Sequence, residues 1–176
     1  SAYGLARSLA KSGRKVLLVD ADLRRPTFIV DGKKRDGNGF TNVLTGEREA
    51  RDVITTIHPN LSLMPAGDIP PNPSELFSGT KLEPMIRQLA ENFDIVILDC
   101  APILGFVDAP MLATIADGTI IVYEAGRVRS AMAQSSAKSL QAVGAYIIGG
   151  LVTKFSDKHD EYGYSYGYAY NYNYHS

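Results

Sequence analysis

Two aspartates, Asp20 and Asp22, stand two residues apart directly after the apolar run Val16-Leu17-Leu18-Val19. A third, Asp99, closes a second run, Ile95-Val96-Ile97-Leu98. Carboxylates at the ends of buried strands can hold a hydrated magnesium (Mg) ion, or one can act as a general base while another orients the metal. The first pair taken alone reads better as a strand end, with its acidic turn residues paired to Arg24 and Arg25. A second strand ending in an acid reverses that preference, because three carboxylates in one sheet could converge on one divalent ion. The other group able to do chemistry is a set of hydroxyls. Seven of the ten tyrosines, Tyr162, Tyr164, Tyr166, Tyr168, Tyr170, Tyr172 and Tyr174, recur at every second position.

The elements that must position these groups follow from hydrophobic patterning. Short apolar runs without alternation, as in strands buried on both faces, occur at 15–20, 61–65, 93–99, 119–122 and 146–152. Helical spacing is read between them at 79–92, 108–116 and 130–143, and in the opening stretch Ala2–Lys11. There Leu5, Leu9, Ala2, Ala6 and Ala10 are expected on one face, with Ser12-Gly13 as the stop. Strand and helix in alternation predict an α/β domain with a mostly parallel sheet, whose ligand crevice lies beyond the carboxyl ends of the strands. Residues 31–39 read as a charged, glycine-rich surface loop, and 65–74 as a proline-punctuated connector ending in a helix cap at Ser74.

Composition narrows the function classes. With 176 residues, 45% hydrophobic and 21% charged, the chain is long enough for one domain with a real core. A net charge of −1 argues against a nucleic-acid footprint spread over the whole surface. A single cysteine, Cys100, excludes an intramolecular disulfide, and with three histidines argues against a structural zinc site. Cys100 is expected to be a small buried residue at a strand end, and His58, His159 and His175 to be exposed loop or tail residues. Arg127 and Arg129 read equally well as solvated loop residues or as contacts to a nucleotide or neighbouring subunit. No apolar run approaches the ~18 residues of a membrane span.

The segment Val19-Asp20-Ala21-Asp22-Leu23-Arg24-Arg25-Pro26 resembles the second Walker A motif (Walker A′) of the bacterial protein-tyrosine kinases (BY-kinases), and 93–99 resembles their Walker B. Further matches follow in the same order: Gly39-Phe40-Thr41-Asn42-Val43-Leu44-Thr45-Gly46, Leu63-Met64-Pro65-Ala66-Gly67 and Pro71-Asn72-Pro73-Ser74-Glu75-Leu76. The tyrosine-rich end completes the set, so the resemblance spans essentially the whole chain. Walker A′ alone also fits the related partitioning and septum-site ATPases. The Asn-Pro-Ser-Glu-Leu segment and the tyrosines point to the kinases.

The resemblance implies a P-loop NTPase-like three-layer α/β fold with ATP and magnesium as cofactors. Asp20 would promote deprotonation of an acceptor tyrosine, while Asp22 and Asp99 would organise magnesium through its waters. The seven tyrosines from Tyr162 to Tyr174 would be phosphoacceptors on a flexible tail at 155–176, following a kinase domain at 1–154. It further implies a ring-like homo-oligomer formed through tail exchange, and regulation of exopolysaccharide or capsule synthesis and export. The setting would be cytoplasmic, at the inner face of the cell membrane beside a polysaccharide copolymerase or activator segment. Two alternatives remain: a partitioning-type ATPase, or an interaction module without catalysis.

The pattern is incomplete. No Gly-x-x-x-x-Gly-Lys-Ser/Thr phosphate loop is present, and by analogy it belongs just before the first helix, so a piece cut from a longer kinase is expected. The family's basic assembly helix would lie upstream as well. Cys100-Ala101-Pro102 stands where the family has a threonine and two prolines, and Thr153-Lys154 where an asparagine often contacts the nucleotide base.

Overall fold

A computed structural model describes residues 1–28 and 37–155. The elements are α1 (Ala2–Lys11), β1 (Val16–Asp20), α2 (Phe40–Thr45), α3 (Ala50–Val53), β2 (Thr55–His58), β3 (Leu61–Met64) and α4 (Pro73–Ser78). They continue as α5 (Leu82–Ala90), β4 (Ile95–Asp99), α6 (Asp108–Ala113), β5 (Thr119–Glu124), α7 (Ser130–Ala142) and β6 (Ile147–Thr153). A four-stranded sheet has the order β2-β3-β1-β4. Its β3-β1-β4 part is parallel and only β2 is antiparallel to its neighbour.

β1 organises the core because all five of its residues are buried. Its side chains alternate between two faces, as strand geometry requires. Leu17 and Val19 pack with Phe40, Met64, Phe77, Leu82 and Leu89 on the face covered by α2, α4 and α5. Val16 and Leu18 pack with Ala6 and Ala10 on the face covered by α1. The small alanines let α1 approach the sheet closely, and the helix–sheet–helix layering is the expected three-layer architecture. Leu5, expected on that inner face, is instead 39% exposed, since only Ala6 and Ala10 of α1 are fully buried.

The strands expected at 119–122 and 146–152 form as β5 and β6, but pair with each other in a separate two-stranded parallel sheet. They are not buried on both faces. Ile120, Val122, Ile148, Leu151 and Val152 are all exposed, because among the described residues β5 pairs only with β6, and one face is covered through Ile121 and Leu140. The helical reading over 79–92 narrows to α5. The connector at 65–74 gives way to α4, whose N-cap is Asn72 and whose first residue is Pro73, a position that costs proline no backbone hydrogen bond. Ser74 is therefore not the cap, and its hydroxyl is used elsewhere. No described helix is long and apolar enough to cross a membrane.

Candidate active site

Asp20 and Asp99 are register partners on the adjacent parallel strands β1 and β4. Both stand at carboxyl ends, where the loops of an open α/β sheet form the ligand crevice. Asp20 is only 1% exposed, and its Oδ2 accepts the backbone N–H groups of Thr27 at 2.8 Å and Phe28 at 3.0 Å. The loop after β1 thus folds back over its own strand end. Asp22 Oδ1 accepts the N–H groups of Arg24 at 3.2 Å and Arg25 at 2.9 Å, an Asx-type turn that explains a short acid at this position.

Burial pushes the Asp20 carboxyl above its ordinary range. The amides of Phe28 and Thr27 oppose that rise, and the Asp22 charge adds to it. Asp99 is also raised, by burial first and then by repulsion from Asp20 and Asp22. Three mutually repelling carboxylates are a donor set of hard oxygens, which suits a hydrated divalent cation. Among the described residues, however, no three His, Cys, Asp or Glu side chains are grouped to ligate a metal directly. One Asp20 oxygen is committed to the Thr27 and Phe28 amides, and one Asp22 oxygen to its own turn.

Asp22 takes the backbone amides of Arg24 and Arg25, and neither arginine side chain forms an ion pair with these acids among the described residues. The Arg24 Nε donates to Asp108 Oδ2 at 2.6 Å, and its second nitrogen donates to Asp108 Oδ1 at 3.2 Å and Ser74 Oγ at 3.0 Å. Ser74 Oγ donates in turn to Asp108 Oδ1 at 2.7 Å, and the Arg24 guanidinium lies 4.3 Å from the Phe106 ring centre. Asp108 is 1% exposed at the first position of α6. Burial alone would push its carboxyl up, but the bonds from Arg24 and Ser74 outweigh that and hold it below the usual range. Sequence reasoning misses Asp108. The available signal is slight: it is the first charged residue after Asp99, and it opens an apolar helix.

The remaining candidates are quickly placed. Cys100 is half-buried, and burial, then the Asp99 charge, push its thiol up to about 11, so it is a packing residue and a poor nucleophile. His58 is not in a loop: it ends β2 and is hydrogen-bonded through Nε2 to the Tyr3 hydroxyl at 2.8 Å. Arg127 pairs with Glu124 at 3.3 Å, and Lys154 holds the same carboxylate at 3.0 Å. A cleft of about 380 Å³ lined by Phe77, Leu82, Val107, Met111 and Ile115 is apolar and contains none of the three carboxylates. Tyr162 to Tyr174, with His159 and His175, lie outside the described residues.

The profile of the AAA domain family matches residues 1–141. The tyrosine-protein kinase YwqD of Bacillus subtilis (strain 168) is 33% identical over 166 residues, covering 93% of this chain and 70% of that protein. The chain belongs to the bacterial tyrosine-protein kinase family, within the AAA domain proteins. The kinase domain of Escherichia coli tyrosine kinase ETK superposes with a TM-score of 0.81 at 30% identity, over 94% of this chain and 65% of that one. The cell division ATPase MinD of Pyrococcus furiosus shares the fold more distantly, with a TM-score of 0.71 at 25% identity over 89% of this chain and 67% of that one.

The segments that carry the tyrosine-kinase likeness meet in pairs. Residues 20–26 and 71–76 join at Asp108 through Arg24 and Ser74. Residues 39–46 and 63–67 join through bonds from Phe40 N–H to the Pro65 carbonyl at 2.8 Å and from Thr41 N–H to the Ala66 carbonyl at 2.9 Å. The approach is so close that a Cβ on Gly39 would stand 2.3 Å from both the Gly67 nitrogen and the Pro65 oxygen.

Proposed function

We propose that this chain is the phosphoryl-transfer domain, over 1–154, of a tyrosine kinase that uses ATP and magnesium to phosphorylate tyrosines of the 162–174 cluster. The observation that carries the reading is the register pairing of Asp20 with Asp99 at adjacent strand ends, with Asp22 two residues beyond, in a chain of this family. A tyrosine hydroxyl has a pKa near 10, so it needs a nearby base to act as a nucleophile at neutral pH. Asp20 suits that role, since burial raises its proton affinity above that of an ordinary carboxylate while the Thr27 and Phe28 amides fix its orientation. Asp22 and Asp99 would hold magnesium through its waters, and their mutual repulsion is relieved by a cation. Magnesium supplies charge neutralisation for the transferred phosphoryl group. No Gly-x-x-x-x-Gly-Lys-Ser/Thr loop stands among these residues, and transfer from ATP requires a phosphate cradle.

Repeated phosphorylation would add about −1.5 to −2 charges per tyrosine. Following Asp157, Asp160 and Glu161, such a tail would repel its neighbours and loosen a ring-like homo-oligomer. Family likeness supports a place in exopolysaccharide or capsule export, at the inner face of the membrane beside a copolymerase partner.

The test is incubation of the complete protein with ATP and magnesium, followed by mass-spectrometric mapping of phosphate. Phosphate on the 162–174 tyrosines that disappears in Asp20→Asn supports the kinase. ATP hydrolysis without phosphotyrosine would replace it with a partitioning-type ATPase, the reading that the MinD likeness favours. Neither activity would leave an interaction module.

A further inference from the structure

The far rim of the sheet holds a second concave site. A cleft of about 360 Å³ opens between α1 and the turn that joins β2 to β3, lined by Arg7, Ala10, Lys11, His58, Pro59 and Asn60. The turn stands at the amino end of β1, since Asn60 offers its carbonyl to Val16 N–H at 2.8 Å. The cleft is therefore at the opposite strand ends from Asp20 and Asp99.

Its chemistry is one-sided. Tyr3, Arg7 and Lys11 follow one another at intervals of four on α1, which places them along one stripe of the helix. Ala10 is the small residue that leaves the floor open. Neither Arg7 nor Lys11 makes an ion pair among the described residues, and no carboxylate lines the cleft. The acid at this rim, Asp94, already accepts the Lys15 N–H at 2.8 Å. His58 is held by the Tyr3 hydroxyl, with the two rings 6.3 Å apart. A guanidinium, an ammonium and an imidazole around one cavity can converge on a doubly charged oxyanion, and the Tyr3 hydroxyl, behind the lining, orients His58.

We infer that this cleft is a binding site for a phosphate monoester carried on an aromatic ring, namely phosphotyrosine of the kind the 162–174 cluster would present. A half-open cleft of about 360 Å³ takes one phosphorylated side chain, whereas a bilayer or a duplex would require a flat or extended basic surface. The inference rests on the kinase reading for its source of phosphotyrosine. A product tail retained at this rim is held away from the catalytic carboxylates, which frees them for the next acceptor.

The experiment uses the complete protein and a synthetic 162–174 peptide phosphorylated at Tyr168, so that the result does not depend on whether the protein phosphorylates anything. Binding is measured by fluorescence anisotropy beside the unphosphorylated peptide, inorganic phosphate, and phosphatidylglycerol vesicles. The phosphopeptide should bind at least roughly tenfold more tightly than its unphosphorylated twin, the effect of about one charge-assisted contact. Arg7→Gln with Lys11→Gln should abolish that difference, while Asp20→Asn should leave it intact. Equal binding of the two peptides, a preference that survives the double substitution, or capture of vesicles in place of the phosphopeptide would each overturn the assignment. His58→Gln, which keeps Arg7 and Lys11, should weaken phosphopeptide binding less than the double substitution. A circular dichroism spectrum matching wild type confirms that the variants fold.

Discussion

Replacing Asp99 by asparagine should stabilise the magnesium-free chain. Asp99 is the register partner of the buried Asp20, and neighbouring strands lie about 4.8 Å apart, which puts the two charges on the order of 5–6 Å from each other. At an effective dielectric of about 20 their repulsion amounts to about 3 kcal/mol. Asp99 is only half-buried, so solvent and salt reduce this to about 1–2 kcal/mol, equivalent to about 2–6 °C in the thermal midpoint of a domain this size. Both carboxyls titrate above their ordinary range in the folded chain. The penalty is therefore absent only well below about pH 4, where folded and unfolded chains are both protonated, small near pH 4, grows as the pH rises toward the elevated folded-state values, and is complete above them. Thermal melts of wild type and Asp99→Asn, followed by circular dichroism without magnesium at pH 7 and pH 4, measure the effect. A midpoint for Asp99→Asn at or below wild type at pH 7 refutes the reasoning, as does an equal gain at both pH values.

Magnesium should raise the wild-type midpoint at pH 7 and leave Asp22→Asn combined with Asp99→Asn unmoved, which the same melts would report. Asp108→Ala removes the acceptor that holds Arg24 and Ser74, and should cost about 2–4 kcal/mol in urea unfolding. Because the Asp108 carboxyl is depressed, its contribution is present above about pH 4 and lost as the pH falls further, so the variant should show a shallower acid limb than wild type. Gly39→Ala forces a methyl group against the Gly67 and Pro65 backbone and should cost about 2–4 kcal/mol, whereas Gly4→Ala, with open space around its Cβ, should be neutral or slightly stabilising. Cys100, with its thiol near 11, should react with iodoacetamide at pH 8 about a hundredfold more slowly than an ordinary thiol near 9. Rapid alkylation in the native state would contradict its burial.

The parts of the fold legible in the sequence are those written in local pattern. β1 and β4 are aliphatic runs that end in residues the strand geometry places together, so Asp20 and Asp99 can be picked out without knowing their register. The Asp108 clamp cannot, because its partners come from positions 24, 74 and 108, and no spacing rule joins them. Ser74 looks like a helix cap for the same reason: a serine before a helix has one local use, and the long-range one is invisible until Asp108 stands beside it. β5 and β6 are recognisable as strands, but the exposure of their apolar side chains depends on which edges are paired, and composition does not report that.

The β5–β6 ribbon also has a consequence for how the molecule comes apart. It is a two-stranded parallel pair, anchored mainly through Ala113, Ile121 and Leu140, whereas β1 is enclosed by neighbours on both edges and both faces. Isolated pairs of strands are marginal without such cover. Amide deuteration should therefore begin in the ribbon and α7 and reach β1 last, as two cooperative units of different strength. Since β6 precedes the 162–174 tyrosines in the sequence, the weaker unit is the one that adjoins them, and its opening would leave the strand ends that carry Asp20 and Asp99 undisturbed.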